Sequence, residues 1–491
     1  MSVSCTSSTR TTTKADAIVI FVREDERSFK AARKQLIADI PHLQPLLDSG
    51  DFTGKKLTVA TGYVGSAASS PRFILAGLGD GAVTAEDLRR AASAASRSAA
   101  GLKCDHLAFE LPSVEELDTE TVAHSITEGA VLTQYSYSKY KSAPKNGHLV
   151  SRFTIFCGKD DLKAVKKGSA SAAGVAEGVV AARDLANAPN NEVYPQVLAK
   201  RAVALGKKHG FKVTVFDKKK ITDLKMNGLL GVNQGSVRPP VFIIMEYRNG
   251  PQNQKPIVLV GKGITFDTGG ISIKPAAGMA DMKGDMHGAA TVIGTMVAAA
   301  NLGIKRNIIA LVPSTENMPS GSAIVPGDVI TYVNGKTAEV DNTDAEGRLI
   351  LADALCYADR YKPEAVIDLA TLTGAVVIAL GSVTTGMMGN DDTVKAKLKA
   401  AGDRTCERVC ELPLYEEYEE LIASDIADIK NSGGRSAGPI TAGLFLKNFV
   451  SYPWVHLDIA GTAMTTKPSH YIPRGNTGVG VRLLIDALQN W

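Results

Sequence analysis

Short apolar runs alternate with longer segments of helical periodicity along this chain, which is the pattern of an α/β protein. In the first third, Thr84 is a suitable N-cap for a helix predicted at 86–102. Short apolar or alternating runs predict strands at 17–22, 73–78, 106–111 and 153–157. Together these elements predict a small domain built on a central sheet.

A second series of strands and helices follows a Lys-, Ser- and Ala-rich stretch at 159–173, which is the best candidate for a linker. An Ala-rich helix is predicted at about 170–187, and Pro189 ends it. Further strands are predicted at 212–216, 241–247, 257–261, 308–312, 365–369 and 455–459, with helices at 289–300 and 349–361.

The pattern predicts two domains, an N-terminal α/β domain at residues 1–165 and a C-terminal domain at residues 166–491. Each should contain a central, mostly parallel or mixed sheet flanked by helices. Ligand sites in such folds lie at the carboxyl ends of strands, so we expect the chemistry of the second domain there. The role of the first domain stays open, with oligomerisation as one candidate.

The composition is that of a soluble globular protein, with 44% hydrophobic and 22% charged residues. The 55 basic and 51 acidic residues leave a net charge of +4, too small at this length to favour nucleic acid or an anionic membrane as partner. Apolar runs stay short of the roughly 18 to 20 residues that span a bilayer, and the N-terminus lacks the apolar core of a secretory signal. A cytoplasmic location is therefore expected.

Charged residues concentrate in two segments of the predicted second domain, at 258–290 and 340–355. The first segment carries, just beyond an apolar strand, Lys262, Asp267, Lys274, Asp281, Lys283 and Asp285. The second carries Asp344, Glu346 and Arg348 at alternate positions before a predicted helix. In an extended backbone the side chains at i and i+2 point the same way, so Asp344 and Glu346 should face one point.

Carboxylates that converge in a protein interior must be paired or bind a cation, so the two segments together indicate a metal site. Taken singly, each carboxylate is more often a surface residue or a helix cap. Carboxylate oxygens suit Mg²⁺ and Mn²⁺, and Zn²⁺ also accepts them. The sequence contains no H-E-x-x-H, which disfavours a histidine-type zinc site. His287 is either a support for Asp285 or, more often for such a residue, an ordinary structural histidine.

These segments resemble the leucyl aminopeptidases, also called cytosol aminopeptidases. The signature octapeptide of that family, NTDAEGRL, stands at 342–349. VGKGITFDTGGISIKP at 260–275 and DMKGDM at 281–286 match its metal-binding segments, although the family more often has Ser at the position of Thr268. The resemblance extends over the second predicted domain through RDLANAPNN at 183–191, IDLATLTGA at 367–375, ADIKN at 427–431 and HLDIAG at 456–461.

The resemblance implies a dimetal aminopeptidase with five metal ligands. Asp267 and Glu346 would bridge two divalent ions. Lys262 and Asp285 would complete one site, and Asp344 would complete the other. A lysine ligand must be a neutral amine, a form that burial near cations favours. Mn²⁺ or Zn²⁺ is the expected metal, with Mg²⁺ as a further candidate.

The resemblance also implies roles around the metals. Lys274 would stabilise the developing oxyanion, and Arg348 would hold a bicarbonate that acts as general base on the attacking water. One metal would bind the free α-amine of the peptide, which restricts cleavage to the first bond. The side-chain pocket would be lined by Met282, Asn342, Ala345, Thr371 and Gly374. This mixture of Met and small residues favours Leu- or Met-like side chains.

Family members are typically homohexamers, and the resemblance implies the same assembly here, with peptides as substrates. Two other classes of protein could use these residues. A phosphoesterase could hold two metals with the same carboxylates, and a nucleic-acid-binding protein could retain a peptidase fold. The octapeptide favours the aminopeptidase over both.

Overall fold

The structure is a computed structural model that describes residues 1–63, 72–142 and 147–491. The chain forms two compact units. The first comprises Met1–Ala176 and Lys467–Arg474, and the second comprises Glu177–Thr466 and Gly475–Trp491. Within the described ranges, no helix is both long and apolar enough to cross a bilayer.

The described part of the first unit contains six strands and four α-helices of its own. The strands are β1 (Ser2–Ser7), β2 (Ala17–Arg23), β3 (Val59–Tyr63), β4 (Arg72–Gly79), β5 (His106–Glu110) and β6 (Arg152–Cys157). The helices are α1 (Glu26–Asp39), α2 (Gln44–Asp48), α3 (Ala85–Gly101) and α4 (Thr119–Thr133). The strands form one sheet in the order β1-β6-β5-β2-β4-β3, parallel except between β3 and β4.

Both faces of this sheet are buried under helices. Val19 and Ile74 pack into an apolar layer with α3 and α4, whereas their neighbours Ile18 and Leu75 belong to a second layer with α1. Helix α3 begins at the predicted N-cap, where Thr84 forms a capping box with Asp87. This unit therefore has the predicted architecture, a central sheet flanked by helices.

Helix α5 (Leu162–Asn187) follows β6, and the boundary between the two units falls within it. The sequence predicts a helix from about residue 170 and a linker at 159–173. The linker prediction is wrong, because most of that segment is helical. Its alanines and lysines are strong helix formers, so composition alone did not justify a linker.

The second unit holds the remaining elements. Its strands are β7 (Lys212–Phe216), β8 (Val241–Arg248), β9 (Ile257–Gly261), β10 (Gly263–Asp267), β11 (Asn307–Asn317), β12 (Val329–Thr331), β13 (Thr337–Glu339), β14 (Ala365–Ala370), β15 (Thr385–Gly389), β16 (Val409–Glu411), β17 (Ile429–Lys430), β18 (Trp454–Asp458), β19 (Met464–Thr465) and β20 (Gly475–Asn476). Its helices are α6 (Pro195–His209), α7 (Lys218–Asp223), α8 (Asn227–Asn233), α9 (His287–Leu302), α10 (Glu346–Ala358), α11 (Gly374–Leu380), α12 (Asp392–Thr405), α13 (Gly438–Lys447) and α14 (Val481–Gln489).

Nine of these strands form the central sheet, in the order β16-β15-β18-β14-β9-β11-β8-β7, with β10 beside β11. The four central strands β18, β14, β9 and β11 run parallel. Strands β15 and β8 pair antiparallel with β18 and β11, and β7 pairs antiparallel with β8. Helices α8, α10 and α13 pack into the apolar core with the sheet, and α9 is buried over nearly its whole length. The predicted fold class, two α/β units with mostly parallel or mixed sheets, is confirmed.

Candidate active site

A cavity of about 520 Å³ opens at the carboxyl ends of the parallel strands in the second unit. Strand β10 ends there at Asp267, β9 ends just before Lys262, and β14 ends just before Thr371. Ligands of open α/β sheets bind at this edge, and cavities of about 300–1,000 Å³ are typical of small-molecule sites. The topology therefore brings the charged segments of the sequence to a cavity of suitable size.

Three carboxylates converge in this cavity. One oxygen each of Asp267, Asp344 and Glu346 lies within 4.8 Å of the others. Asp267 and Glu346 are buried, and Asp344 is half-buried. The two charged segments of the sequence thus meet in space, which is the arrangement that a shared cation requires.

The backbone at Asp344 and Glu346 is not extended. Asp344 lies in a turn and Glu346 is the first residue of α10, so the argument from alternation along a strand was wrong. The Asn342 side-chain oxygen accepts a hydrogen bond from the Asp344 N–H at 2.8 Å, as in an Asx turn. This turn, rather than strand geometry, brings the two carboxylates together.

Lys262 is buried at the end of β9, in the midst of the carboxylates. Its Nζ lies 2.8 Å from Asp285 Oδ2 and 2.8 Å from Glu346 Oε1, and it donates to the Thr371 carbonyl at 2.9 Å. Gly347 lies against this side chain, since a Cβ there would come within 2.7 Å of Nζ. The glycine of the octapeptide therefore leaves room for the lysine.

Lys274 lies on the more open side of the cluster. Its Nζ is 2.9 Å from Asp267 Oδ2 and 2.5 Å from Asp344 Oδ1. Its side chain is 22% exposed, against 3% for Lys262. The cluster therefore contains four carboxylates, of Asp267, Asp285, Asp344 and Glu346, and two ammonium groups, of Lys262 and Lys274. Its negative charges outnumber its positive ones.

The pKa shifts reflect this excess. Burial raises the pKa of Asp285 well above its ordinary value, an effect that Lys262 opposes and Glu346 reinforces. Burial lowers the pKa of Lys262, but the attraction of Asp285 and Glu346 outweighs it, so the net pKa is raised. Carboxylates that resist ionisation beside lysines that resist deprotonation indicate too little positive charge in a poorly solvated site.

Divalent metal ions fit this arrangement. One oxygen each of Asp285, Asp344 and Glu346 lies 2.5–2.8 Å from a lysine ammonium group, so two ammonium groups serve the whole cluster. Four carboxylates outnumber these two ammonium groups, and further cations would lower the cost of burying the excess negative charge. Carboxylate oxygens are ligands that Mn²⁺, Mg²⁺ and Zn²⁺ all accept.

Asn317, at the end of β11, supports the cluster and was missed in the sequence. Its Nδ2 donates to Asp267 Oδ1 at 2.8 Å and to the Thr343 carbonyl at 3.0 Å. The Gly269 N–H donates to the same Asp267 oxygen at 2.8 Å. The available signal was a run of polar residues, 314–317, at the end of an otherwise apolar strand.

Arg348 lies in the first turn of α10 and lines the cavity. One of its terminal nitrogens donates to the Asn431 carbonyl at 2.7 Å, whereas its buried Nε has no hydrogen-bond partner. Burial lowers the pKa of Arg348 to about 10, against the opposing attraction of Glu346 and Asp458. It therefore remains a cation at neutral pH, with one N–H group that has no hydrogen-bond partner.

All five predicted pocket residues line the cavity, namely Met282, Asn342, Ala345, Thr371 and Gly374. Other lining residues were missed in the sequence, among them Leu372, Val377, Ile378, Arg435, Ala463 and Met464. They lie on α11, on the two-residue strand β19 and on irregular segments, where no periodic pattern marks them.

His287 lies behind the cavity wall and does not line it. Its Nδ1 is 3.0 Å from Oδ1 of Asn476, which does line the cavity. Burial lowers the pKa of His287 to about 4, so the ring is neutral at physiological pH. This placement fits the structural alternative, in which the histidine holds a wall residue.

Two family models match the chain. The catalytic domain of the cytosol aminopeptidase family matches residues 180–485, and the N-terminal domain of the same family matches residues 19–144. A probable cytosol aminopeptidase of Roseiflexus castenholzii is 46% identical over 91% of this chain and 93% of that protein. A probable cytosol aminopeptidase of Chlorobaculum parvum is 45% identical over 97% of each chain.

Two solved structures are similar to this chain in both fold and sequence. A mutant of tomato leucine aminopeptidase superposes with a TM-score of 0.88 at 31% identity, over 100% of this chain and 97% of that one. The bottromycin maturation enzyme BotP in complex with Mn gives a TM-score of 0.85 at 32% identity, over 97% of this chain and 99% of that one.

Proposed function

This chain belongs to the cytosol aminopeptidase family and is an aminopeptidase, and on that premise we propose that two divalent metal ions at the Asp267, Asp344 and Glu346 cluster assist its reaction. The observation that carries the proposal is the charge balance of the ion-paired cluster, where four carboxylates contact only two lysines. When bound, such ions would supply Lewis acidity, which polarises a peptide carbonyl and acidifies a water molecule.

The proposed ligands are those that the family resemblance implies. Asp267 and Glu346 would bridge the two ions, and Asp344 would complete one site. Asp285 and Lys262 would complete the other, which their 2.8 Å contact supports. Lys262 would have to lose its proton to do so, and the positive charge of a bound ion would favour that loss.

Two positively charged side chains, those of Lys274 and Arg348, would take part in the reaction beside the metals. Lys274 is partly exposed to the cavity, and its raised pKa keeps it charged at neutral pH, so it could donate to the oxygen of the scissile carbonyl as negative charge develops. Arg348 has an unpaired N–H group and would hold a bicarbonate ion that accepts the proton of the attacking water. Both roles are proposals for these residues.

The charged cluster on one side of the cavity and the apolar wall on the other would together select the substrate. The negatively charged cluster attracts the protonated α-amine of a peptide, which favours removal of the first residue. Apolar and small residues on the wall, including Met282, Ala345 and Gly374, would accept a Leu- or Met-like side chain, and Leu372 and Met464 add to that wall. The expected metals are Mn²⁺ or Zn²⁺, with Mg²⁺ as a further candidate.

The homohexamer, the role of the N-terminal unit in forming it, the domain boundary at 165–166 and the cytoplasmic location remain predictions. Sedimentation velocity would measure the assembly directly. The phosphoesterase and nucleic-acid-binding alternatives gain no support from the site, and the family matches favour the aminopeptidase.

Hydrolysis of leucine p-nitroanilide tests the proposal, with p-nitrophenyl phosphate as the competing substrate. The protein would be treated with a chelator and then assayed with Mn²⁺, Zn²⁺ or Mg²⁺, beside an Asp267→Asn/Glu346→Gln variant. We expect anilide hydrolysis that disappears with chelation, returns with metal and is absent from the variant. Hydrolysis of the phosphate ester alone, or anilide hydrolysis that survives chelation, would contradict the proposal.

A further inference from the structure

A buried carboxylate behind the cavity remains unexplained by the proposed reaction. Asp458 is the last residue of β18, is 1% exposed, and does not line the cavity. Its strand pairs with β14, whose carboxyl end leads into the segment 371–374. A buried charge of this kind is costly unless its oxygens are satisfied, so its partners indicate what it does.

The partners of Asp458 lie mainly in the segment 371–374. Oδ1 accepts a hydrogen bond from the Leu372 N–H at 3.1 Å, and Oδ2 accepts one from the Thr373 hydroxyl at 2.7 Å. Oδ1 also accepts from the Ala460 N–H at 3.2 Å, which ties the carboxylate to its own chain. The carboxylate is thus anchored on one side and holds the segment on the other.

That segment contacts the proposed metal ligands on its opposite side. The Thr371 carbonyl accepts a hydrogen bond from Lys262 Nζ at 2.9 Å, and the Thr371 hydroxyl donates to Asp285 Oδ1 at 2.7 Å. Thr371 precedes Leu372 directly, so a shift of the backbone that Asp458 holds would move both contacts. Outer partners of this kind orient metal ligands, and their loss typically costs about 10- to 100-fold in metal affinity or activity.

The same carboxylate also acts on the cavity wall. Thr373 is the N-cap of α11, and its hydroxyl oxygen accepts a hydrogen bond from the Val376 N–H at 3.1 Å. A hydroxyl has one hydrogen to donate, and Asp458 receives it, which leaves the oxygen lone pairs to cap the helix. Helix α11 contributes Val377 and Ile378 to the cavity.

We infer that Asp458 is a positioning residue, which fixes the segment 371–374 and through it both the Lys262–Asp285 pair and the wall at α11. The inference rests on the proposed function, because the metal ligands are part of that proposal. It assigns Asp458 no contact with substrate or metal.

Kinetics and metal binding of matched variants test the inference. The variants are Asp458→Asn, which keeps one acceptor oxygen; Thr373→Val, which removes the cap but not the Leu372 bond; and Asp353→Asn as control. Asp353, on α10, is also buried, and its carboxylate accepts a hydrogen bond from the Leu229 N–H of α8 at 2.7 Å. For each, kcat and KM for leucine p-nitroanilide, Mn²⁺ affinity by calorimetric titration and Tm would be measured.

We expect Asp458→Asn to lose about 10- to 100-fold in kcat/KM and to bind Mn²⁺ more weakly. Thr373→Val should raise KM several-fold with kcat and Mn²⁺ affinity nearly unchanged, and it keeps the inference testable if Asp458→Asn does not fold. Asp353→Asn should lower Tm alone. The inference is overturned if Asp458→Asn and Thr373→Val change only Tm, as the control does. Wild-type protein that neither binds Mn²⁺ nor hydrolyses the anilide would overturn the proposed function and this inference with it.

Discussion

At the scale of single residues, two lysines in one cluster have different surroundings. Lys262 is enclosed by Asp285, Glu346 and the Thr371 carbonyl, whereas Lys274 faces the cavity. The sequence alone did not distinguish the two lysines, and the roles of Lys262 as a ligand and Lys274 as an oxyanion donor came only from the family resemblance. Burial and contacts now supply a physical reason to expect different roles.

Replacement of each lysine by methionine should separate those roles. Lys262→Met removes a proposed ligand, so bound Mn²⁺ and activity should fall together. Lys274→Met should retain Mn²⁺, because the substitution removes a positive charge that would repel the ion. Its kcat should fall by about 10²- to 10³-fold, because the donor to the oxyanion is lost. Metal content after dialysis and steady-state kinetics measure both effects.

Lys283→Met is the matched control for these variants. Lys283 lies in the same region of the chain and forms no ion pair with any of the residues that the structure describes. It should keep both metal and activity. Loss of bound Mn²⁺ from Lys274→Met, with Lys262→Met unaffected, would contradict the assignment of the two lysines.

His456 and Asp368 form a buried pair between β18 and β14, with Nδ1 2.6 Å from Oδ1. Burial lowers the pKa of His456, but the Asp368 carboxylate outweighs this effect and the net pKa is raised. Because the folded state holds the proton more tightly than the unfolded state, the stabilisation is fully present below the ordinary value of about 6.5 and is lost as pH rises through the folded pKa.

The stability of wild type relative to His456→Gln should therefore be greatest in acid and should decline as pH rises. Urea unfolding midpoints between about pH 5.5 and 9 would measure the difference. In Asp368→Asn the histidine keeps its burial and loses its carboxylate, so this advantage in acid should disappear. A wild-type advantage that grows with pH would show that the pKa is lowered instead.

At the scale of elements, the sequence predicted most central strands and helices α3, α9 and α10 within a few residues. It failed where local composition and tertiary context disagree. The segment 159–173 has the composition of a linker but is largely helical. Asp344 and Glu346 have the spacing of neighbours on one face of a strand, but Asp344 lies in an Asx turn and Glu346 begins a helix. The members of the cavity wall on α11 and at 432–435 could not be predicted, because they meet only through long-range packing.

Helix α9 approaches the sheet closely at Gly288, beside the backbone of Lys262. A Cβ at this position would lie 2.1 Å from the Leu369 carbonyl oxygen and 2.9 Å from the Lys262 nitrogen. Both are backbone atoms, so Gly288→Ala must displace the helix or the strand end. We expect a loss of about 1–3 kcal/mol in the free energy of unfolding and lower kcat/KM.

Gly101→Ala provides the comparison, because no heavy atom lies within 4 Å of a Cβ at that position. It should leave stability and activity close to wild type. Thermal unfolding and anilide kinetics of both variants measure the effect. A Gly288→Ala protein as stable and active as wild type would show that the helix can move without disturbing Lys262.

At the scale of the whole molecule, the sequence predicted two α/β units but not the order of their strands. Parallel central strands followed from their apolar runs and the helices between them. The antiparallel additions of β8 and β15 depend on pairings between distant segments, which local patterns do not encode. The carboxyl ends of the parallel strands were nevertheless correctly expected to carry the charged segments.

The proposed reaction requires that the four carboxylates bind two metal ions needed for activity. Mn²⁺ bound per chain, measured by elemental analysis after chelation and stepwise reloading, tests that claim most directly when anilide hydrolysis is followed in the same samples. We predict two ions per chain at saturation, activity that rises as they bind, and loss of both in Asp267→Asn/Glu346→Gln. Full activity with one ion or none, or two ions retained by the double variant, would contradict it.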